Sequence, residues 1–157
     1  MKGVLEICTN QADLEQITEH LRACDAIFTP PLSDRLELSD YAQKIVGNAT
    51  CFEAWADGQL VGLVAAYCTD TESRTAFVTS VSVLPRWQGI GIASRLVSQC
   101  ISYADRSGFR RIELEVNSQN KAAVSLYEKH GFLTDTPCGQ SLVMHLAIKG
   151  KRDEQAT

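Results

Sequence analysis

The residues best suited to chemistry fall in two clusters. The first is Val81-Ser82-Val83-Leu84-Pro85-Arg86-Trp87-Gln88-Gly89-Ile90-Gly91-Ile92-Ala93-Ser94. A strand pattern runs into a turn with two glycines and then into an amphipathic helix pattern. Such a junction gathers bare backbone N–H groups and the positive end of a helix dipole at one point. That is a site for an anion, above all a phosphate or pyrophosphate. Glycine suits it because a Cβ would obstruct the ligand oxygens. A dinucleotide fingerprint fits poorly: Ser94 stands at the third glycine position, and four residues, Pro85 to Gln88, separate the strand from Gly89. A P-loop would need a lysine and a hydroxyl after its last glycine, and neither is there. A plain strand-to-helix turn is the remaining alternative.

The second cluster is Ile112-Glu113-Leu114-Glu115-Val116-Asn117-Ser118-Gln119-Asn120-Lys121-Ala122-Ala123-Val124-Ser125-Leu126-Tyr127-Glu128-Lys129-His130-Gly131-Phe132. Asn120 and Tyr127 are seven apart, two helical turns on one face and about 10 Å along the axis, so one extended ligand could touch both. Both clusters resemble signatures of the GNAT superfamily of N-acetyltransferases. Its cofactor loop reads Q/R-x-x-G-x-G/A, matched by Gln88-x-x-Gly91-x-Ala93 and, in a second register, by Arg86-x-x-Gly89-x-Gly91. Its downstream signature, L-E-V-x-x-x-N-x-x-A-x-x-L-Y-E-x-x-G-F, is matched at each named position. Ile90 departs mildly, standing where a polar or basic residue is usual. The two motifs cover the second half of the chain; the first half agrees in element order.

The resemblance implies an α/β protein with the GNAT fold: a central mixed sheet of about seven strands flanked by about four helices. It implies acetyl-coenzyme A as cosubstrate, no metal, and transfer to a primary amine of a small molecule or a protein within a ternary complex. Val81, Ser82 and Val83 would lie along the pantetheine arm. Gln88, Gly89, Ile90, Gly91, Ile92, Ala93 and Ser94 would hold the pyrophosphate. Asn120 would touch the cofactor near its reactive end, and Tyr127 would protonate the leaving thiolate.

The chemistry explains these residue types. An alkyl ammonium has a pKa near ~10.4, so only about one molecule in ~10³ is a neutral nucleophile at pH 7. A base must take its proton. The developing oxyanion needs an N–H donor, which a splayed strand at Val83 would offer. Glu115 is the candidate base, because its Leu-Glu-Val context resembles the branch that acetylates ribosomal-protein N-termini. Glu113 and Tyr67 come next, and the strand of residues 75–84 offers only Thr79, Ser80 and Ser82. Each assignment has a plainer alternative: a solvated or ion-paired Glu115, a core aromatic at Tyr127, a helix-start residue at Asn120. An acyl-coenzyme A sensor of the same fold, without turnover, is the alternative to an enzyme; it would need neither Tyr127 nor Glu115.

The elements that must position these residues are legible from periodicity. Strands are expected at 3–8, 51–56, 60–67, 75–84 and 112–116, one beginning at Phe132-Leu133, and one at 141–148. In 75–84, Phe77, Val81 and Val83 share a side. Helices are expected at 10–24, capped by Asn10 and with Leu14, Ile17, Leu21 and Cys24 on one face, and at 39–46, 89–106 and 121–129. Asp57-Gly58 marks a tight hairpin turn, and Thr29-Pro30-Pro31 a break. Hairpins mixed with strand-helix-strand units predict a partly parallel, partly antiparallel sheet.

Bulk composition sets the outer bounds. The 157 residues are 45% hydrophobic and 22% charged, enough for one domain (1–149) followed by a polar tail (150–157). A net charge of −4 offers no basic field for nucleic acid. No stretch is long enough to span a bilayer and no apolar leader opens the chain, so a cytoplasmic protein is expected. The six cysteines make no C-x-x-C pair and read as reduced, and the three histidines carry no metal spacing. The acceptor is expected to meet residues 28–40 and the last hairpin, residues 134–140. Asp34, Glu37 and Asp40 give the former an acidic excess that suits a cationic amine, or merely a solvated loop. Dimers are common in the family, so a homodimer is one assembly open to it.

Overall fold

Asp57 and Gly58 both take positive φ, 52° and 75°, and join two long strands by a two-residue turn whose twist matches that of the strands it links. The computed structural model describes residues 4–28 and 30–148. Gly3 of the first expected strand, Thr29 and the expected tail lie outside the described residues.

The order is β1 (Leu5–Thr9), α1 (Leu14–Cys24), α2 (Leu38–Asn48), β2 (Thr50–Ala56), β3 (Gln59–Asp70), β4 (Thr75–Val83), α3 (Ile92–Arg106), β5 (Arg111–Asn117), α4 (Lys121–Lys129), β6 (Leu133–Cys138) and β7 (Ser141–Ala147). The seven strands form one sheet in the order β1-β2-β3-β4-β5-β7-β6. Only β4 and β5, joined by the α3 crossover, are parallel; the other pairs are antiparallel. The mixed α/β sheet with four helices is as expected.

The core has two layers. Ile17, Leu21, Ala42 and Ile45 of α1 and α2 pack on Leu60, Leu63 and Ala65 of β3. On the opposite face Ile92, Leu96, Val97 and Cys100 of α3 pack with Phe52, Ala54 and Val64. Strand β3 is therefore buried on both sides. Cys24, Cys51 and Cys100 are buried free thiols, and burial pushes them up to about 11, 12 and 12, so they stay protonated.

Three local expectations are corrected. Helix α1 begins at Leu14, not Asn10. Asp13 caps it by accepting from the Gln16 N–H while the Gln16 side chain accepts from the Asp13 N–H, a reciprocal box that outcompetes a cap three residues upstream. Asn10 instead sits at φ 56° and accepts from the Cys51 N–H at 2.7 Å. The fully buried Glu53 accepts from the N–H groups of Gln11 and Ala12 and from Trp55 Nε1, tying this loop to β2. Helix α3 begins at Ile92, not Gly89, because Pro85–Trp87 form a 3₁₀ turn and Gly91 is left-handed at φ 87°. Phe77 does not share a side with Val81 and Val83. The pairing of β3 with β4 slips between Ala65 and Ala66, leaving Thr79 as an extra residue. That bulge reverses the alternation, so Val78, Val81 and Val83 face α3 while Phe77 faces away, 38% exposed.

Gly62 on β3 lets α3 come close. A Cβ there would meet Ile92 Cγ2 at 2.8 Å and Leu96 Cδ1 at 3.2 Å, and the β-branched Ile92 has little rotamer freedom to yield. Gly62→Val is expected to destabilise the fold by about 1–3 kcal/mol in urea unfolding; an unchanged midpoint would contradict this packing.

Candidate active site

β4 and β5 pair over Thr75–Val78 and Arg111–Leu114 and then part. Past that point β4 keeps β3 as far as Val83, and β5 keeps β7 as far as Asn117. The sheet thus opens into a V. The Leu84 N–H donates to the Val61 carbonyl, which makes this a hydrogen-bonded pair. Alternation along the antiparallel ladder then turns the amides of Ser80 and Ser82 toward β3 and those of Val81 and Val83 toward the opening. The Gln88 side chain agrees, donating from Nε2 to the outward carbonyl of Val83 at 3.2 Å. Gln88 thereby ties the glycine turn to the end of β4.

In that turn Gly89 and Gly91 have φ of 82° and 87°, and a Cβ on either would meet no protein atom. Their need for glycine is thus conformational, and the space beside them is open to a ligand. Gly91 caps α3 without a side-chain bond, so the N–H groups of Ile92, Ala93 and Ser94 lack intrahelical acceptors. The Ser94 hydroxyl lies 2.9 Å from His130 Nε2, joining the start of α3 to the end of α4. Ile90 is 54% exposed on the turn. These features fit a diphosphate: several convergent donors, a dipole end, and room for anionic oxygens.

The opening holds a cleft of about 460 Å³. Residues 77–81 of β4 and 114–117 of β5 line it, with Asn120, Ala123, Leu126 and Tyr127 of α4 along one side. Phe28, Pro30, Leu32, Arg35, Leu36 and Tyr41 come from the α1–α2 side, and Gln140 and Ser141 from the β6–β7 turn. The structure therefore brings together Val81, Glu115, Asn120, Tyr127 and both segments expected to meet the acceptor. Ser82 points elsewhere: its hydroxyl donates to Nε2 of buried His20. Burial holds the His20 pKa down and its Nδ1–H donates to the Leu60 carbonyl, which fixes the neutral tautomer.

Tyr127 is 7% exposed with its ring against Phe132. Its hydroxyl makes no hydrogen bond to a described residue, and burial pushes the phenol well up. Asn120 caps α4, its Oδ1 accepting from the Ala123 N–H, which leaves Nδ2 for a ligand. Glu115 is exposed on the cleft wall and makes no hydrogen bond or ion pair to a described residue. Glu113, by contrast, is held by Arg111 at 2.7 Å. Tyr67 does not line the cleft, and Lys44 lies over its ring at 5.5 Å.

One supporting residue carried no sequence signal. Tyr41 of α2 donates to the Thr79 carbonyl at 2.7 Å, with Thr79 Oγ1 also at 2.7 Å, and so holds the bulge at the mouth of the V. Burial pushes its phenol up to about 12. The bulge itself was visible in principle: the apolar phase shifts from Ala76 and Val78 to Val81 and Val83.

The acetyltransferase (GNAT) family model matches residues 14–132. An N-acetyltransferase of Methanocaldococcus jannaschii, itself uncharacterised, is 35% identical over 85 residues, 52% of this chain and 38% of that protein, so the chain spans well under half the length of that relative. The fold is similar to that of the ribosomal-protein-S18-alanine N-acetyltransferase from Escherichia coli, with a TM-score of 0.76 at 20% identity over 94% of this chain and 97% of that one. It is likewise similar to the PaiA N-acetyltransferase from Thermoplasma acidophilum in complex with coenzyme A, with a TM-score of 0.74 at 18% identity over 92% and 99%. With its glycine turn, its opened sheet and a family match over most of its length, this chain belongs to the GNAT acetyltransferase family.

Proposed function

We propose that the protein is an acetyl-coenzyme A-dependent N-acetyltransferase that moves the acetyl group directly to a primary amine, with both substrates bound together. The observation that carries this reading is an opening in the sheet where outward amides on β4 face a phenol and a carboxylate that have no partner among the described residues, with the bare N-terminus of α3 tied to the end of the same strand through Gln88. The neighbour solved with coenzyme A supports the choice of ligand.

Bound acetyl-coenzyme A supplies a thioester carbonyl that accepts the amine's lone pair. The N–H groups of residues 89–94 hold its diphosphate, and the Val81 backbone holds the pantetheine amides. Asn120 Nδ2 donates near the reactive end. Glu115, directly or through a water, takes one proton from the ammonium so that nitrogen can form the C–N bond. The Val83 N–H faces the charge growing on the carbonyl oxygen. The nitrogen of the adduct still carries one proton too many and loses it to solvent water. The oxyanion's electron pair re-forms the carbonyl, the C–S bond breaks with its pair leaving on sulfur, and Tyr127 O–H donates to that sulfur. The raised Tyr127 pKa keeps the proton on oxygen throughout the neutral range. It also makes full transfer to an alkyl thiolate, whose acid has a pKa near ~8.5, uphill. Tyr127 therefore acts first as a hydrogen-bond donor and completes any transfer late. The free cysteines suit a reducing compartment, and the cytoplasm is the proposed location.

Three variants test these roles. Gly91→Val forces a branched side chain into left-handed backbone at the diphosphate site. It should weaken coenzyme A binding by roughly tenfold or more in calorimetry, in line with the about 1–3 kcal/mol of such strain; unchanged affinity would remove the diphosphate assignment. Tyr127→Phe should lower kcat by about 10–100-fold while coenzyme A affinity holds, and a fall in affinity alone would make it a packing residue. Glu115→Gln should cut kcat/KM by about 10²-fold, with the loss shrinking as pH approaches the amine's own pKa; a pH-independent loss would exclude it as the base. Coenzyme A binding with no turnover on any amine would identify a sensor instead.

A further inference from the structure

The cleft carries a charge pattern that says more about the acceptor. Arg35 and Glu115 are the only charged side chains among its described lining residues, one from the α1–α2 segment and one from β5. Neither side chain makes a hydrogen bond or ion pair with a described residue. The acidic excess read in residues 28–40 does not reach the cleft. The Glu37 carboxylate caps α2, accepting from the Asp40 N–H at 2.7 Å and the Ser39 hydroxyl at 2.6 Å. Asp34 and Asp40 are not among the lining residues. A polyamine or aminoglycoside would therefore meet one carboxylate and one opposing guanidinium.

The same cleft is lined by Phe28, Leu32 and Leu36, apolar surface suited to a short carbon chain.

We propose that the acceptor is a small zwitterion, an amino acid whose carboxylate seats on Arg35 while its amine is presented to Glu115. The inference rests on the acetyl-transfer reading. Arg35 supplies a planar fork matched to a carboxylate, and Glu115 favours the ammonium end before removing its proton. With the amine neutralised the acceptor carries net negative charge, which the guanidinium holds in place.

The test is steady-state thiol release from acetyl-coenzyme A with matched acceptors. Glycine, β-alanine, 4-aminobutyrate, L-ornithine and L-lysine are each compared with their carboxamides, alongside spermidine and a C-terminally amidated peptide of neutral residues. At least one amino acid should exceed its carboxamide in kcat/KM by roughly tenfold or more, the scale of one charge-assisted hydrogen bond, with the difference in KM. Arg35→Met should bring that ratio near one, and Arg35→Lys should restore part of it. Equal or better use of spermidine, a carboxamide or the amidated peptide overturns the inference and leaves acetyl transfer standing. So does a ratio that survives Arg35→Met. Absence of transfer to every acceptor overturns both.

Discussion

The structure depends on a hydrogen-bonded ladder that stops. Strands β4 and β5 share pairing only as far as Val78 and Leu114, and everything proposed for this protein happens beyond that point. A backbone amide buried in a sheet is normally committed to its neighbour. Here those of Val81 and Val83 are turned toward a gap, so a ligand that presents carbonyls in an extended chain can finish the ladder. The parting costs β4 half of its partners, and it persists because other groups hold the strand in place.

Those groups come from both faces. Tyr41 holds the bulge at Thr79, and the neutral His20 takes the Ser82 hydroxyl, so α1 and α2 fasten the far half of β4. On the other face Gly62 admits Ile92 at the first turn of α3. The same close approach sets the bare N-terminus of α3 over the end of β4, where Gln88 bonds the Val83 carbonyl. The glycine turn and the end of β4 are thereby fixed to each other by packing. The bulge does more than widen the gap. It swings Val81 and Val83 to the α3 face and leaves Ser80 and Ser82 on the face of α1 and α2, so apolar side chains and hydroxyls lie on opposite faces of the strand.

Much of this was legible in the sequence. Element order and the hairpin at Asp57-Gly58 follow from periodicity and turn chemistry, and the strand-to-helix glycine turn is marked by residue type. The residues gathered at the cleft, Glu115, Asn120 and Tyr127, follow from the second motif. What was not legible depends on contacts between distant segments. The capping box of Asp13 and Gln16 competes locally with Asn10, and residue type alone ranks them equally. The side on which Phe77 lies depends on one extra residue in β4, set by its pairing with β3. The use of Glu37 as a helix cap, which removes it from the acceptor side, is decided by the three residues that follow it. Tyr41 and Arg35 matter through tertiary placement, which no spacing along the chain encodes.

The central claim is that the amides of the opened β4 edge and of the glycine turn bind coenzyme A. Amide chemical shifts followed by NMR during titration with coenzyme A test it most directly. The account predicts that Val81, Val83 and residues 89–94 shift together, saturating with one affinity, while the β1–β2 edge stays still. Shifts confined to another surface, or a silent glycine turn at saturation, would contradict it.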